Sequence, residues 1–451
     1  MRAIPTVESA GTENQEMVEL SFGQLHPSLD DPVLLSMNLL NDIASDHPQA
    51  VSFAAGRPYE EFFRVEQLYG YLGTFVTHLT DVVGLTDAEA RRTVFQYGRT
   101  KGVIHGLVAR YLEIDEDISV DPDAVVVTVG SQEALFLTLR SLRASPQDVV
   151  LAVAPTYFGL TGAARLLDMP VLDVGDRDGG LDLVDLEHQV TAARARGHRP
   201  RALYLVPDFS NPTGVSLDLA TRTALLDLAA DLDLLIIEDN PYGLFQADPG
   251  TRPPNLKALD TRHQVVHVGS FAKTGLPGAR VGFVVADQPV VRDGRPVGTL
   301  ADQLSLIKSN VTLNTSPVAQ AVIGGKLLRH GCSMVAANKR EIEVYRANLR
   351  RVLAGLTERF GATGSVTWNT PAGGFFVVLT VPFTVDDRSL RKSARDHGVI
   401  WTPMHHFHTG MTSSHQIRLS FSLLDDASID EGLDRLTAFA TAESQEFGHS
   451  A

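Results

Sequence analysis

The chain has one cysteine, Cys332, in 451 residues. A lone thiol builds no disulfide framework and sets no metal-ligand spacing, so a reducing compartment and a role as small core filler fit. No Lys/Arg-dense run accompanies the formal net charge of −15, which argues against a surface for nucleic acid or anionic membrane. No stretch reaches the ~18 apolar residues needed to span a bilayer. The opening MRAIPTVESAGTENQEM lacks the basic start and apolar run of a secretory signal. The expectation is a cytoplasmic protein with no nucleic-acid or membrane partner.

Hydrophobic residues make up 44%, enough for one large α/β domain and a smaller one. The polar ends, 1–24 and 444–451, read as disordered tails. Between about 120 and 290, short apolar runs (VVVTV at 125–129, VVLAV at 149–153, ALYLV at 202–206, LLII at 234–237, VVHV at 265–268, VGFVV at 281–285) alternate with helical stretches. Runs apolar at consecutive positions suit strands buried on both faces of a mostly parallel sheet. Residues 286–299 read as a surface loop. After about 325 an amphipathic stretch is followed by strand-like SVTW, GGFFVVL, GVIW and QIRLSF, a separate α+β lobe.

Ligands of an open parallel sheet sit beyond the carboxyl ends of its strands. Gly130-Ser131-Gln132 follows the first strand and opens a helix, suiting a phosphate, although Ser131 also reads as a plain N-cap. Asn211 lies in the turn-rich Pro207-Asp208-Phe209-Ser210-Asn211-Pro212-Thr213-Gly214, where an Asx turn is the alternative. Asp239, ending a buried strand before Asn240-Pro241-Tyr242, needs a cationic or hydrogen-bonding partner unless it caps a helix. Lys273, in Gly269-Ser270-Phe271-Ala272-Lys273, follows another buried strand. Burial there lowers the ammonium pKa and favours imine chemistry; a snorkelling surface lysine is the alternative.

These motifs, with Ala154-Pro155-Thr156-Tyr157, Pro277-Gly278-Ala279-Arg280 and Ile417-Arg418-Leu419-Ser420-Phe421, resemble in order those of the class I/II aminotransferases, the fold-type-I pyridoxal 5′-phosphate (PLP) enzymes. The resemblance covers about residues 50 to 425. It implies an aspartate-aminotransferase-like α/β fold: a large PLP-binding domain (61–325) with a mostly parallel seven-stranded sheet, a smaller α+β domain (326–443), and an N-terminal arm (25–60) that contributes to it. It also implies that Lys273 carries PLP as an imine and shuttles the proton between Cα and C4′. Asp239 would keep the pyridinium nitrogen protonated, Tyr242 and Asn211 would bond the ring's 3-oxygen, and Tyr157 would stack on the ring. Ser131, Gln132, Ser270 and Arg280 would hold the phosphate. Tyr97, in Gln96-Tyr97-Gly98, would reach the partner subunit's phosphate, implying a homodimer. Arg418 would bind the substrate carboxylate, with Gly56 on the loop that closes over it.

Val-Ala precedes Pro155-Thr156-Tyr157 where relatives often carry an acidic residue, and Ser210 stands where Gln is frequent. Arg57 and Arg99 add positive charge to loops expected near the substrate, hinting at an anionic or hydroxyl-rich side chain, or are solvated surface residues. Met404-His405-His406-Phe407-His408 invites a metal reading, but no carboxylate or cysteine completes a recognised spacing, so no metal is expected; one histidine could instead touch substrate. The implied reaction is transamination between an amino acid and a 2-oxo acid, with features resembling arylglycine (dihydroxyphenylglycine) transaminases of secondary metabolism. The rivals are γ-elimination or replacement on an activated amino acid such as S-adenosylmethionine, and a PLP-binding regulator, for which the acidic chain and its short N-terminus leave little room.

Overall fold

Alternate residues of the strand Val125–Thr128 (β1) enter different cores. Val125 and Val127 pack with Phe271, Phe283 and the helices Val65–Asp81 and His105–Asp115, whereas Val126 packs with Leu135 and Leu139 of the helix Gly130–Leu142. Both faces are covered, which is why consecutive rather than alternating apolar residues mark this strand. In this computed structural model the described residues are 18–450, apart from 177–179, 251, 362–363, 409 and 412.

Asp148–Val153 (β2), Val171–Val174 (β3), Arg199–Leu205 (β4), Leu235–Asp239 (β5), Val265–Ser270 (β6) and Gly282–Val285 (β7) complete a seven-stranded sheet. Its order is β1-β7-β6-β5-β4-β2-β3, and β7 runs antiparallel to both neighbours while the other pairs are parallel. This is the aspartate-aminotransferase-like sheet that the motifs implied. Strand β3 escapes the sequence reading because it lies at the sheet edge, where three of its four residues are only partly buried.

The loop expected at 286–299 is instead a β-hairpin of Pro289–Arg292 and Arg295–Thr299. Asp293 and Gly294 at its tip have φ of 51° and 74°, the paired positive values of a tight hairpin turn that Asp-Gly favours. Exposure of most of its strand residues removed the apolar alternation that would have revealed it.

The second lobe has the long helix Lys339–Phe360 and a four-stranded antiparallel sheet, in the order Thr367–Trp368, Phe376–Val385, Ser414–Ser420, Thr402–Pro403. Val399–Ile400 pairs in parallel with Val51–Ser52 instead, so the N-terminal segment enters this lobe, and Ile43 and Phe53 share its core with Trp401, Leu349 and Leu433. The last helix, Asp426–Ser450, continues through most of the segment expected as a tail at 444–451. Lys392 anchors it through Glu443 at 2.6 Å and Glu446 at 2.9 Å. The tail expected at 1–24 lies outside the described residues as far as residue 17, and Phe22–Gln24 forms a 3-10 turn. Among the described residues no helix is long and apolar enough to cross a membrane.

Candidate active site

A cavity of about 560 Å³ opens where the loops following the large sheet's strands meet the second lobe. Ser131, Gln132, Tyr157, Asn211, Asp239, Tyr242, Ser270, Lys273, Arg280, Arg418, Gly56 and Arg57 all line it. Tyr97 and Arg99 do not. Tyr97 is 83% exposed on the single chain, and Arg99 is drawn off by an opposite charge, donating to Asp123 at 2.7 Å with His105 3.0 Å away. The expectation of Arg99 beside the substrate is therefore not met within one chain.

One end of the cavity is built for an anion. The helix Gly130–Leu142 begins there, and its first N–H groups have no partner within the helix. Gly130 has φ +72°, and a Cβ on it would lie 2.6 Å from Arg280 Nη2; a Cβ on Gly282 would lie 2.7 Å from the Ser131 nitrogen. The two glycines thus let a guanidinium and a helix N-terminus converge, the donor set a phosphate needs. Behind them, Glu133 accepts from the Val129 N–H at 2.6 Å and from Lys308 at 2.7 Å, tying down the helix start. Gln132 donates to the Gly159 carbonyl at 2.6 Å, and Ser270 Oγ accepts from Ala272 at 3.1 Å.

Deeper in, Asp239 ends β5. Tyr204, on the adjacent β4, donates its hydroxyl to Asp239 Oδ2 at 2.9 Å, while Oδ1 is buried without a partner. Burial pushes this carboxyl up to about 6, against the Tyr204 hydrogen bond and the charge of His267. The free oxygen suits a cationic N–H. Sequence reasoning missed Tyr204, whose only signal was a hydroxyl within the apolar run 202–206. It also missed Arg222 and Asp208, a fully buried pair. Arg222 further donates to the carbonyls of Pro207 (3.1 Å) and Leu217 (3.0 Å), stapling both sides of the loop that presents Asn211.

Lys273 Nζ donates to the Gly56 carbonyl from inside the cavity. Burial, followed by the positive charges of Arg418, Arg280 and Arg57, lowers its pKa to about 8, so a neutral amine is accessible near physiological pH. Tyr157 and Tyr242 are both raised chiefly by burial, Tyr157 to about 12, and remain protonated donors.

Arg418, 4% exposed, donates to Asn211 Oδ1 (2.6 Å), the Ala54 carbonyl (2.7 Å) and Thr402 Oγ1 (3.0 Å). All three acceptors are uncharged and its Nε is buried without a partner, so burial lowers its pKa to about 10. The Phe376 and Phe407 rings lie 4.5 and 5.0 Å from the guanidinium carbon and keep water from it. A buried arginine offered only neutral oxygens is prepared for an incoming carboxylate. His405 and His406 are absent from this lining; both face Asp387, at 3.4 and 2.8 Å, a carboxylate that sequence spacing did not connect with them.

PLP fits this set: an anion cradle at one end, an unpartnered carboxylate oxygen at the other, and a desolvated amine between them. Comparison with known proteins agrees. The family model described as aminotransferase class I and II matches residues 74–436. The chain is 52% identical to (S)-3,5-dihydroxyphenylglycine transaminase of Amycolatopsis orientalis, over 98% of both chains. It is 29% identical to aromatic-amino-acid aminotransferase 1 of Thermococcus litoralis, over 86% of this chain and 87% of the relative. The solved structure of Pyrococcus horikoshii kynurenine aminotransferase superimposes with a TM-score of 0.78 at 26% identity, covering 94% of this chain and 97% of the other. The γ-replacement and regulator readings gain no support from these likenesses. The chain belongs to the class I and II aminotransferases, PLP-dependent enzymes that move an amino group between an amino acid and a 2-oxo acid.

Proposed function

We propose that this enzyme works on an amino acid whose aromatic ring is attached directly to Cα, a hydroxylated arylglycine such as 3,5-dihydroxyphenylglycine, with Lys273 as the cofactor-bearing residue. The 52% identity to a transaminase named for that substrate, spanning 98% of both chains, carries the substrate class. The buried, carboxylate-free setting of Arg418 supports an α-amino-acid substrate.

PLP, when bound, supplies an electron sink that stabilises negative charge at the substrate Cα. The chain's residues do the rest. Ser131, Gln132, Ser270 and Arg280 would hold the phosphate, the free oxygen of Asp239 would keep the proton on the ring nitrogen, Asn211 and Tyr242 would bond the 3-oxygen, and Tyr157 would cover the ring. Arg418 grips the substrate carboxylate in a two-point fork, which orients the Cα–H bond. Lys273 Nζ, partly neutral because of its lowered pKa, takes the Cα proton. Gly56, whose carbonyl now accepts from Lys273, lies on the loop that closes over the substrate, and Arg57 beside it suits ring hydroxyls. A homodimer in the cytoplasm, with Tyr97 reaching the partner's phosphate site, completes the proposal.

The test is a donor screen. Purified enzyme with PLP and an oxo-acid acceptor is offered (S)-3,5-dihydroxyphenylglycine, 4-hydroxyphenylglycine, phenylalanine, tyrosine and 2-aminoadipate, and release of each 2-oxo acid is followed. Arylglycines are expected to give the highest kcat/KM. A clear preference for phenylalanine or 2-aminoadipate would remove the arylglycine assignment and leave the transaminase.

A further inference from the structure

Outside the substrate cavity, the second lobe brings Asp387, His405 and His406 together. One potential ligand atom from each lies within 4.8 Å of the others. Asp387 begins the helix Asp387–Lys392, and the two histidines sit on the 3-10 turn Met404–Phe407. The histidines are adjacent in sequence, and Asp387 comes from an earlier element.

Both separations from Asp387 are those of ligand edges around a small cation. Two ligand atoms each about 2.1 Å from a zinc-class ion are about 3.0 Å apart at a right angle and about 3.4 Å apart at the tetrahedral angle. Asp387 Oδ1 stands 2.8 Å from His406 Nε2 and 3.4 Å from His405 Nε2. Asp387 Oδ1 and His406 Nε2 are nonetheless buried and out of hydrogen-bond line, as atoms directed at a common third point would be. His405 is itself 6% exposed, with its Nδ1 also unpartnered. Asp387 is 45% exposed at the side chain, so the cluster lies at the edge of the lobe, close to solvent.

We infer that Asp387, His405 and His406 form a structural site for a divalent transition-metal ion of the zinc class. Two imidazoles and one carboxylate select such an ion over magnesium or calcium, which prefer oxygen ligands. Its effect is mechanical. The ion ties the Met404–Phe407 turn to the helix Asp387–Lys392, and Phe407 of that turn stacks on Phe158, 5.5 Å away, and faces Arg418. The Phe407 carbonyl also accepts from Thr156 at 2.9 Å, beside Tyr157. An occupied site therefore stiffens the wall behind the carboxylate-binding arginine.

The experiment uses tag-free holoenzyme, dialysed against chelator and then titrated calorimetrically with ZnCl2 and separately with MgCl2, with melting followed in parallel. One zinc per chain and a raised Tm are expected, with no response to magnesium. Asp387→Asn and His406→Gln each keep the side-chain volume and should weaken zinc binding by at least about tenfold, since loss of a mere supporting partner already costs that much. Both should retain the wild-type circular dichroism and cofactor absorbance. Absence of stoichiometric zinc binding, or equal binding by wild type and both folded variants, would overturn the site.

Discussion

Tyr204 donates to one oxygen of Asp239 at 2.9 Å and leaves the other, equally enclosed, without a partner. Burial raises this carboxyl from 3.8 to about 6 in the folded chain, so between those values the folded state holds a proton that the unfolded state has released. The sign follows: as pH rises through that window the group withdraws stability, about 3 kcal/mol in all at 1.36 kcal/mol per pKa unit. A cationic ring nitrogen on the free oxygen offsets that loss only where the carboxyl is ionised. The rise in Tm on adding PLP should therefore be larger at about pH 7 than at about pH 5 in the wild type and lose that dependence in Asp239→Asn. A pH-independent rise in the wild type would contradict the pairing.

Lys273→Ala should still bind PLP through the intact anion cradle but not attach it covalently. Borohydride reduction followed by intact-mass measurement reads this directly: added cofactor mass is expected in the wild type and none in the variant. Amino transfer should fall by at least about 10⁴-fold, the upper range for loss of a proton-transfer group. Residual turnover near wild type would remove Lys273 from its role.

Replacing Arg418 by Lys keeps the charge and loses the fork, leaving Asn211, Ala54 and Thr402 with fewer donors in a buried site. A loss in kcat/KM of roughly 10²- to 10³-fold is expected, matching about 3–4 kcal/mol for a buried carboxylate contact. Inhibition by a substrate analogue lacking the carboxylate should barely change. A similar loss of affinity for that analogue would point to general damage of the cavity.

Arg222 and Asp208 are both fully buried. Arg222→Leu should destabilise the holoenzyme by about 3–5 kcal/mol, because it strands the Asp208 carboxylate. The double variant with Asp208→Leu should recover much of that loss. Denaturant midpoints of the three proteins measure it; equal midpoints for single and double variants would mean the cost lies elsewhere.

Tyr97 is 83% exposed on the isolated chain. Sedimentation should give a mass near twice 48.8 kDa, and Tyr97→Ala should weaken PLP binding without changing that mass. A monomeric wild type would end the assignment of Tyr97 to a partner's phosphate.

Much of the site was legible because its pieces are local. Gly130-Ser131-Gln132, Asp239 with Tyr242, and Lys273 each follow a strand whose consecutive apolar residues announce burial on both faces, and parallel strands bring those ends to one side of the sheet. The edge strand Val171–Val174 and the exposed hairpin around Asp293 were hidden because, lacking a fully buried face, they carry weak apolar patterning.

What the sequence by itself determined was which residues end up buried at strand ends, and hence the cofactor class. Tertiary structure alone decided which side chains meet: Tyr204 on Asp239, Arg222 on Asp208, Asp387 facing His405 and His406, and Arg99 turned to Asp123 rather than the cavity. The reason is physical. Hydrophobic period records whether a residue faces the core or water, while the identity of its neighbour depends on crossovers and lobe packing that join segments far apart in the chain.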